Sequence, residues 1–303
     1  MRVVVALGGN ALLRRGEATD AETQRANIAV AVGAIAELAR DHEVVVTHGN
    51  GPQVGLLALQ SEALHEGAPY PLDILGAESE GLVGYLLEQE LVNELPERPA
   101  ATLLTQVVVD ADDPAFAHPT KPIGPVYDER TARRLATERG WTIAPDADRY
   151  RRVVPSPEPR SIVELNAIRL LVGSGVLVIC VGGGGIPVVL DESGRLRGVE
   201  AVIDKDLSAA LLASQLEAHA LLMLTDVPFA EDGWRTPHAR PLIHVTPTEL
   251  GTIKFAPGSM APKIEAACRF VQRTGGTAAI GALADAGAIL RGERGTQVVA
   301  VSP

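Results

Sequence analysis

Cysteine is almost absent from the sequence, and its scarcity argues against a disulfide-rich protein and against a cysteine-based metal site. Of 303 residues only two are cysteines, Cys180 and Cys268, and neither lies in a CxxC pair or beside a histidine. Each lies in an apolar run, so both are predicted to be small core residues. We expect neither a disulfide framework nor a metal site built from protein side chains.

Positive charge is also scarce. The 27 basic residues are outnumbered by 38 acidic ones, and the formal net charge is −11. Proteins that bind nucleic acid or anionic membranes need clustered Lys and Arg to offset phosphates, so we expect neither partner. No apolar run approaches the roughly 20 residues that span a bilayer, and the N-terminal residues lack a signal-peptide cleavage pattern. The chain is therefore expected in the cytoplasm.

The order of apolar runs predicts an α/β fold. Short β-rich runs alternate with longer segments of helical period, which is typical of parallel strands joined by helical crossovers. Strands are predicted at 2–7, 44–47, 103–110, 176–181, 219–225, 277–281 and 296–301. Helices are predicted from a capping box at Thr19 and Glu22, at 53–66 and 79–93, from a second capping box at Ser161 and Glu164, and at 204–217 and 262–273. Ile28, Val32, Ile35 and Leu38 are expected on the buried face of the first helix.

One segment interrupts this pattern. Eight of the 21 prolines lie between Pro114 and Pro159, and proline does not fit the middle of a sheet. Residues 115–160 are therefore predicted to leave the sheet, with a helix at 129–139 and a hairpin near 141–154. A lid over a ligand and a passive surface insertion both fit this composition.

Lysine is the scarcest charged residue, and its positions are informative. The chain has four lysines, Lys121, Lys205, Lys254 and Lys263, against 23 arginines. Lys254 suits a solvated surface, whereas the other three lie in short turns near glycine, proline or aspartate. A compact ammonium acts as a mobile point charge on a phosphate, so these three are candidate phosphate ligands. Chance and surface solvation remain the alternative for any one of them.

Glycines lie where predicted strands end. They form the runs Gly8-Gly9-Asn10, Gly49-Asn50-Gly51 and Gly182-Gly183-Gly184-Gly185. In open α/β sheets the ligand crevice lies outside the carboxyl ends of the strands, where backbone N–H groups and helix N-termini can face an anion. One such turn is most often a plain tight turn, but three in one sheet indicate a phosphate site.

Two acids flank Lys205. Asp204 suits the N-cap of the helix that follows, but capping does not account for Asp206. A carboxylate beside two lysines would orient their ammonium groups and keep them charged. Phosphoryl transfer needs such charges because the migrating group spreads negative charge over its oxygens. Mg²⁺ would arrive with the nucleotide.

Missing motifs narrow the class of enzyme. No lysine follows a glycine, so the phosphate-loop signature GxxxxGK cannot occur. Ile186-Pro187 follows the four-glycine run in place of a dinucleotide fingerprint, and the HRD and DFG triplets of protein kinases are missing. The sequence therefore fits poorly with a P-loop enzyme or a conventional dinucleotide-binding protein.

Eight segments together resemble the carbamate kinase family of the amino-acid kinase superfamily. They are LGGNA (7–11), HGNGPQVG (48–55), LTQVVVD (104–110), PTKPIGP (119–125), VVPSPEP (153–159), CVGGGGIPV (180–188), GVEAVIDKD (198–206) and FAPGSMAPKIEAA (255–267). The resemblance runs from end to end. The related acetylglutamate, glutamate and uridylate kinases share only the glycine turns and isolated lysines.

The resemblance implies a fold and a reaction. The fold is a single domain over 1–303, a three-layer αβα sandwich around a mostly parallel sheet with a small protruding subdomain. Residues 1–114 and 160–198 would form the carbamate and phosphoryl side, 115–160 the lid, and 199–303 the nucleotide side. A homodimer would convert ATP and carbamate to ADP and carbamoyl phosphate, with Mg²⁺ carried by ATP or ADP. In arginine catabolism the reaction would run toward ATP.

Site residues follow from the resemblance position by position. Lys205 and Lys263 would bind phosphoryl oxygens, Asp206 would hold both lysines, and Lys121 would reach onto carbamoyl phosphate. The carbamate and phosphoryl group would contact Gly8, Gly9, Asn10, Gly49, Asn50 and Gly51. The nucleotide would contact Gly183, Gly184, Thr225, Asp226, Val227, Ser259 and Met260.

Two departures from the family pattern leave alternatives open. Glu80 stands where the family usually has glutamine, and a carboxylate that faced the ligand would repel an anion. The segment 228–234 lacks the usual tyrosine, which leaves the adenine contacts open. Glu80 therefore motivates a competing hypothesis, a phosphotransferase for another small carboxylate. The competing hypothesis outside enzymes is a catalytically silent ATP- or anion-binding sensor on the same fold.

Overall fold

The computed structural model describes residues 1–13, 17, 20–64, 69–255 and 260–300, and for Asn10 and Ala11 it describes the backbone alone. The strands are β1 (Arg2–Leu7), β2 (Glu43–His48), β3 (Ala100–Thr102), β4 (Gln106–Val109), β5 (Lys121–Tyr127), β6 (Thr142–Asp146), β7 (Arg149–Val154), β8 (Pro159–Ile162), β9 (Leu177–Ile179), β10 (Ile186–Leu190), β11 (Leu196–Gly198), β12 (Ala220–Thr225), β13 (Glu231–Asp232), β14 (Arg240–Pro241), β15 (His244–Val245), β16 (Thr277–Ala282) and β17 (Thr296–Val298). The helices are α1 (Gly9–Leu12), α2 (Ala21–Asp41), α3 (Gly51–Leu64), α4 (Leu72–Glu94), α5 (Glu129–Arg139), α6 (Leu165–Gly173), α7 (Lys205–Gln215), α8 (Pro247–Leu250), α9 (Met260–Thr274) and α10 (Ala286–Leu290).

The main sheet has helices on both faces. Its strand order is β15-β17-β16-β12-β1-β2-β9-β3, and its neighbours are parallel except for the antiparallel pair β16 and β17. In β1 the side chains of Val3 and Val5 pack with residues of α2, α4 and α10, whereas Val4 and Ala6 pack with residues of α6, α7 and α9. Alternate residues of a strand point to opposite faces, so β1 is buried on both sides. This arrangement is the predicted three-layer αβα sandwich.

Besides the two-stranded pair β13-β14, two smaller sheets extend the molecule. One has the order β11-β10-β4-β8, and the other, β5-β7-β6, is antiparallel. We call β5, β6, β7 and α5 the small subdomain. The helix and the hairpin predicted there are confirmed, because α5 is capped by Asp128 and ends at Gly140 with φ 68°, and β6 pairs with β7. Among the described helices none is long and apolar enough to cross a membrane.

Three local predictions are wrong. The strand predicted at 103–110 is shorter, as β4, and lies in a smaller sheet, whereas the main-sheet strand β3 precedes the predicted range. Ser161 lies in β8 instead of beginning a helix, and α6 begins only after Glu164, whose carboxylate accepts the Gln106 N–H at 2.7 Å. Asp20 is the N-cap of α2, where it accepts the N–H of Thr23, and Thr19 of the proposed box lies outside the described residues.

Candidate active site

Two glycine turns meet at the carboxyl ends of the central strands. The N–H of Gly8 donates to Leu224 O at 2.8 Å, and the N–H of Gly49 donates to Leu7 O at 3.0 Å. These two N–H groups extend the sheet, so a contact of Gly8 or Gly49 with a ligand would have to use other atoms. A Cβ at Gly49 would lie 3.0 Å from Gly9 N and 3.4 Å from Lys205 Cδ, so glycine here permits the close approach of both turns and a lysine.

Two helices begin at these turns. Gly9 starts α1 and Gly51 starts α3, and the first N–H groups of a helix have no acceptor within it. Asn50 precedes α3, is 7% exposed and donates from Nδ2 to Ser79 Oγ at 2.7 Å. The side chain of Asn10 lies outside what the structure describes. The start of α3 beside Lys205 therefore supplies backbone donors at a place with positive charge.

Asp206 joins two lysines in one buried cluster. Lys205 Nζ donates to Asp206 Oδ1 at 2.5 Å, and Lys263 Nζ donates to Asp206 Oδ2 at 2.9 Å. Asp206 is 4% exposed and Lys263 is 7% exposed. The cluster forms because α7 and α9 pack side by side, which brings together residues that are 57 positions apart. It confirms the predicted convergence of these two lysines.

The electrostatics of the cluster follow from burial and shared charge. Burial alone would raise the pKa of the Asp206 carboxyl, but the charges of Lys205 and Lys263 hold it well below its usual range. Burial lowers the pKa of Lys205 to about 8, with a further contribution from the Lys263 charge. For Lys263 burial acts in the same direction, but the charge and hydrogen bond of Asp206 together with the Asp204 charge outweigh it and raise the pKa. An anion that binds beside Lys205 would raise the pKa of this lysine again and so keep its ammonium group charged.

A third lysine reaches this place from the small subdomain. Lys121 Nζ donates to Asp204 Oδ2 at 2.6 Å. Asp204 also caps α7, since its Oδ1 accepts the N–H of Asp206 at 2.9 Å. The small subdomain lies close against α3, where a Cβ at Gly55 would lie only 2.9 Å from Gly124 Cα. The sequence predicted the cap but missed the Lys121–Asp204 ion pair, because 83 residues separate the partners.

Glu80 is buried, and its carboxyl group is held by backbone donors. It is 1% exposed, its Oε1 accepts the Gly182 N–H at 2.7 Å, and its Oε2 accepts the Thr105 N–H at 3.1 Å. Burial raises the pKa of Glu80 to about 8, although both hydrogen bonds oppose the shift. The repulsion considered from the sequence does not arise, because the carboxyl group faces backbone donors.

The residues predicted to contact the nucleotide lie in different surroundings, some at the ends of β12 and α9 and others buried in a glycine turn. Thr225 ends β12, and its Cα lies 3.7 Å from where a Cβ of Gly8 would be. Met260 begins α9 one turn before Lys263. Gly183 and Gly184 are buried, and the Gly184 N–H donates to Val181 O at 3.2 Å, which argues against a direct nucleotide contact for them. Asp226 and Val227 follow directly after β12. Ser259 lies outside the described residues.

Residues that sequence reasoning overlooked support this site. His48 is fully buried and its Nδ1 lies 3.1 Å from Gly49 O, while burial lowers its pKa to about 4. Ser208 Oγ on α7 donates to Gly184 O at 2.8 Å. The only sequence signal for such contacts is a polar residue next to a glycine turn.

No group of three or more His, Cys, Asp and Glu side chains able to hold a metal occurs within the described residues.

The fold and the site together define an α/β phosphotransferase, and comparison with known proteins gives the family. A model of the "Amino acid kinase family" matches residues 1–281. A carbamate kinase of Rhizobium meliloti (strain 1021) is 57% identical over 300 residues, which cover 98% of this chain and 92% of the relative. One from Haemophilus influenzae is 52% identical over 299 residues, with 98% and 96% covered.

A solved structure supports the same family. The carbamate kinase from Giardia lamblia bound to AMP-PNP has a TM-score of 0.90 and 41% identity, and the match covers 98% of each chain. This chain belongs to the amino acid kinase family, and within it to the carbamate kinases.

Proposed function

We propose that this chain transfers a phosphoryl group reversibly between ATP and carbamate, giving ADP and carbamoyl phosphate. The observation that carries the proposal is the cluster of Lys205, Asp206 and Lys263 beside the turn at Gly49. The transferring group carries negative charge on its oxygens, and fixed ammonium groups stabilise that charge without reorganising. Carbamate is already ionised, so no general base is needed, and positioning supplies much of the remaining rate.

The roles of the residues follow from their places. Lys205 and Lys263 bind phosphoryl oxygens in transit, and Asp206 keeps both side chains extended toward the same point. Backbone donors at the starts of α1 and α3 hold the carbamate side. The nucleotide lies beyond β12, next to Thr225, Asp226, Val227 and Met260, with Ser259 in the adjoining segment.

The metal in this proposal is Mg²⁺ bound to the phosphates of ATP or ADP. Mg²⁺ retains several waters and is usually bound through substrate phosphates with one or two carboxylates. Asp204 and Asp206 are each paired with an ammonium group, so the acids of the site fit a metal carried by the nucleotide better than a metal held by the protein. When bound, Mg²⁺ would neutralise phosphate charge.

The domain roles are also part of the proposal. Residues 1–114 and 160–198 form the carbamate and phosphoryl side, 199–303 form the nucleotide side, and 115–160 form a lid whose Lys121 exchanges Asp204 for carbamoyl phosphate. The lid is favoured over a passive insertion because Lys121 reaches Asp204, two residues from Asp206. A cytoplasmic homodimer that forms ATP in arginine catabolism completes the proposal, and light scattering of the purified chain tests the dimer.

ADP-dependent formation of ATP from carbamoyl phosphate tests the reaction. We expect saturable ATP formation that requires both substrates. Absence of ATP formation, together with turnover of another acyl phosphate, would transfer the proposal to a different small carboxylate. Binding of ATP without turnover of either compound would favour the silent sensor. The burial of Glu80 removes the observation that motivated a different substrate.

A further inference from the structure

The turn Gly182–Gly185 contacts both halves of the candidate active site. A Cβ at Gly183 would lie 2.1 Å from Asn50 Nδ2, so the turn touches the residue that precedes α3. A Cβ at Gly184 would lie 2.5 Å from Ile203 O, directly before Asp204. Neither position accepts a larger residue unless its neighbours move. The path of this turn therefore fixes how far Asn50 lies from the start of α7, which carries Lys205 and Asp206.

Glu80 anchors this turn from α4. Its two carboxyl oxygens accept the N–H groups of Gly182 and Thr105, and Thr105 Oγ1 accepts the N–H of Val181 at 3.0 Å. Val181 has φ 54°, a left-handed conformation that β-branched residues rarely adopt. Such a conformation persists only when surrounding contacts determine it. Glu80 and Thr105 supply those contacts.

We propose that Glu80 is a positioning residue for phosphoryl transfer, which acts through the turn Gly182–Gly185 on Asn50 and on the start of α7. Glu80 itself touches no substrate. This inference rests on the proposed carbamate kinase activity. It predicts that loss of the Glu80 carboxyl group lowers the rate of the chemical step, because the substrate side and the lysine side no longer have the right separation.

The experiment compares three variants in ATP formation from carbamoyl phosphate and ADP. Glu80→Ala removes both acceptors, and we expect kcat per folded molecule to fall on the order of 100-fold, the cost of a displacement of about 1 Å in a catalytic group. Glu80→Gln keeps one acceptor oxygen for Gly182, and we expect it to recover kcat to within about tenfold of the wild type. The KM for ADP is expected to stay within about twofold, because the proposed nucleotide contacts Thr225 and Met260 belong to β12 and α9 and are not part of the turn.

Glu88 provides the matched control. It lies on α4, two turns beyond Glu80, and its Oε2 accepts the N–H of Thr102 at 2.8 Å, away from the site. Glu88→Ala therefore removes a comparable hydrogen bond between α4 and a strand. We expect it to lower the melting temperature without lowering kcat. Should Glu80→Ala fail to fold, Glu80→Asp, which keeps the carboxyl group on a shorter side chain, is expected to lower kcat in its place.

Two results would overturn the inference. One is a kcat for a folded Glu80→Ala or Glu80→Asp variant within about threefold of the wild type. The other is an equal fall in kcat for Glu88→Ala, which would mean that any loosening of α4 matters. An inactive wild-type chain would instead remove the proposed function, so the two failures are distinguishable.

Discussion

Replacing Lys263 by alanine tests the role of the buried cluster. Lys263 is 7% exposed and its Nζ lies 2.9 Å from Asp206 Oδ2, so its position is fixed before any ligand arrives. Loss of one preorganised charge that stabilises a transition state costs about 3–4 kcal/mol. Since each 1.36 kcal/mol is about tenfold in rate, we expect kcat to fall several hundred-fold.

The loss would not come from discharge of the neighbouring lysine. The Lys263 charge is one of the causes that lower the pKa of Lys205. In Lys263→Ala that cause disappears while the Asp206 carboxylate remains, so the pKa of Lys205 rises and its ammonium group stays charged. The fall in kcat then measures the missing contact of Lys263 with the phosphoryl group.

The assay is ATP formation at saturating carbamoyl phosphate and ADP, with circular dichroism to confirm folding. Lys254→Ala is the control, because this lysine is exposed and outside the cluster. We expect the control to retain kcat. A kcat for Lys263→Ala within about fivefold of the control would refute the reasoning, since it would mean that the cluster contributes less than about 1 kcal/mol.

Three further predictions concern the subdomain, the cluster and pH. Carbamoyl phosphate is expected to increase hydrogen-exchange protection of β5 and β7, because Lys121 gains a ligand contact, and equal protection with and without it would contradict the lid. Asp206→Asn removes the carboxylate shared by the buried Lys263 and the partly buried Lys205, a loss that is expected to cost about 3–5 kcal/mol of unfolding free energy, to be measured by chemical denaturation; a loss below about 1 kcal/mol would argue against a shared ion pair. Folding raises the pKa of Glu80 from 4.5 to about 8. Between these two pH values the folded chain therefore keeps a proton on Glu80 that the unfolded chain has released. The wild-type unfolding free energy should therefore fall relative to Glu80→Gln between about pH 5 and 8, by up to about 1.4 kcal/mol per pH unit, and a pH-independent difference would contradict the buried proton.

Local patterns were enough to predict an α/β fold and much of its helix and strand order, whereas the three-layer sandwich was implied by the family resemblance. The apolar run at β1 and the amphipathic period of α2 depend on near neighbours, as do the cap at Asp128 and the end of α5 at Gly140. These features are fixed by backbone propensity and by alternation of apolar side chains.

Long-range contacts decided what the sequence could not predict. The break between β3 and β4 occurs where Thr105 N–H donates to Glu80 and Thr105 Oγ1 accepts from Val181, and both partners are distant in sequence. Glu164 bonds to Gln106 instead of capping a helix. In the site, the lysine cluster followed from the scarcity of lysine, but the pairing of Lys121 with Asp204 required the packing of the small subdomain.

A crystal structure with ADP, Mg²⁺, carbamate and a planar metal-fluoride analogue of the phosphoryl group tests the central claim most directly. We predict that the ammonium groups of Lys205 and Lys263 both lie within hydrogen-bonding distance of the fluorides, with Asp206 still bridging them. A complex in which either ammonium faces away from the fluorides while the nucleotide is bound would contradict the account.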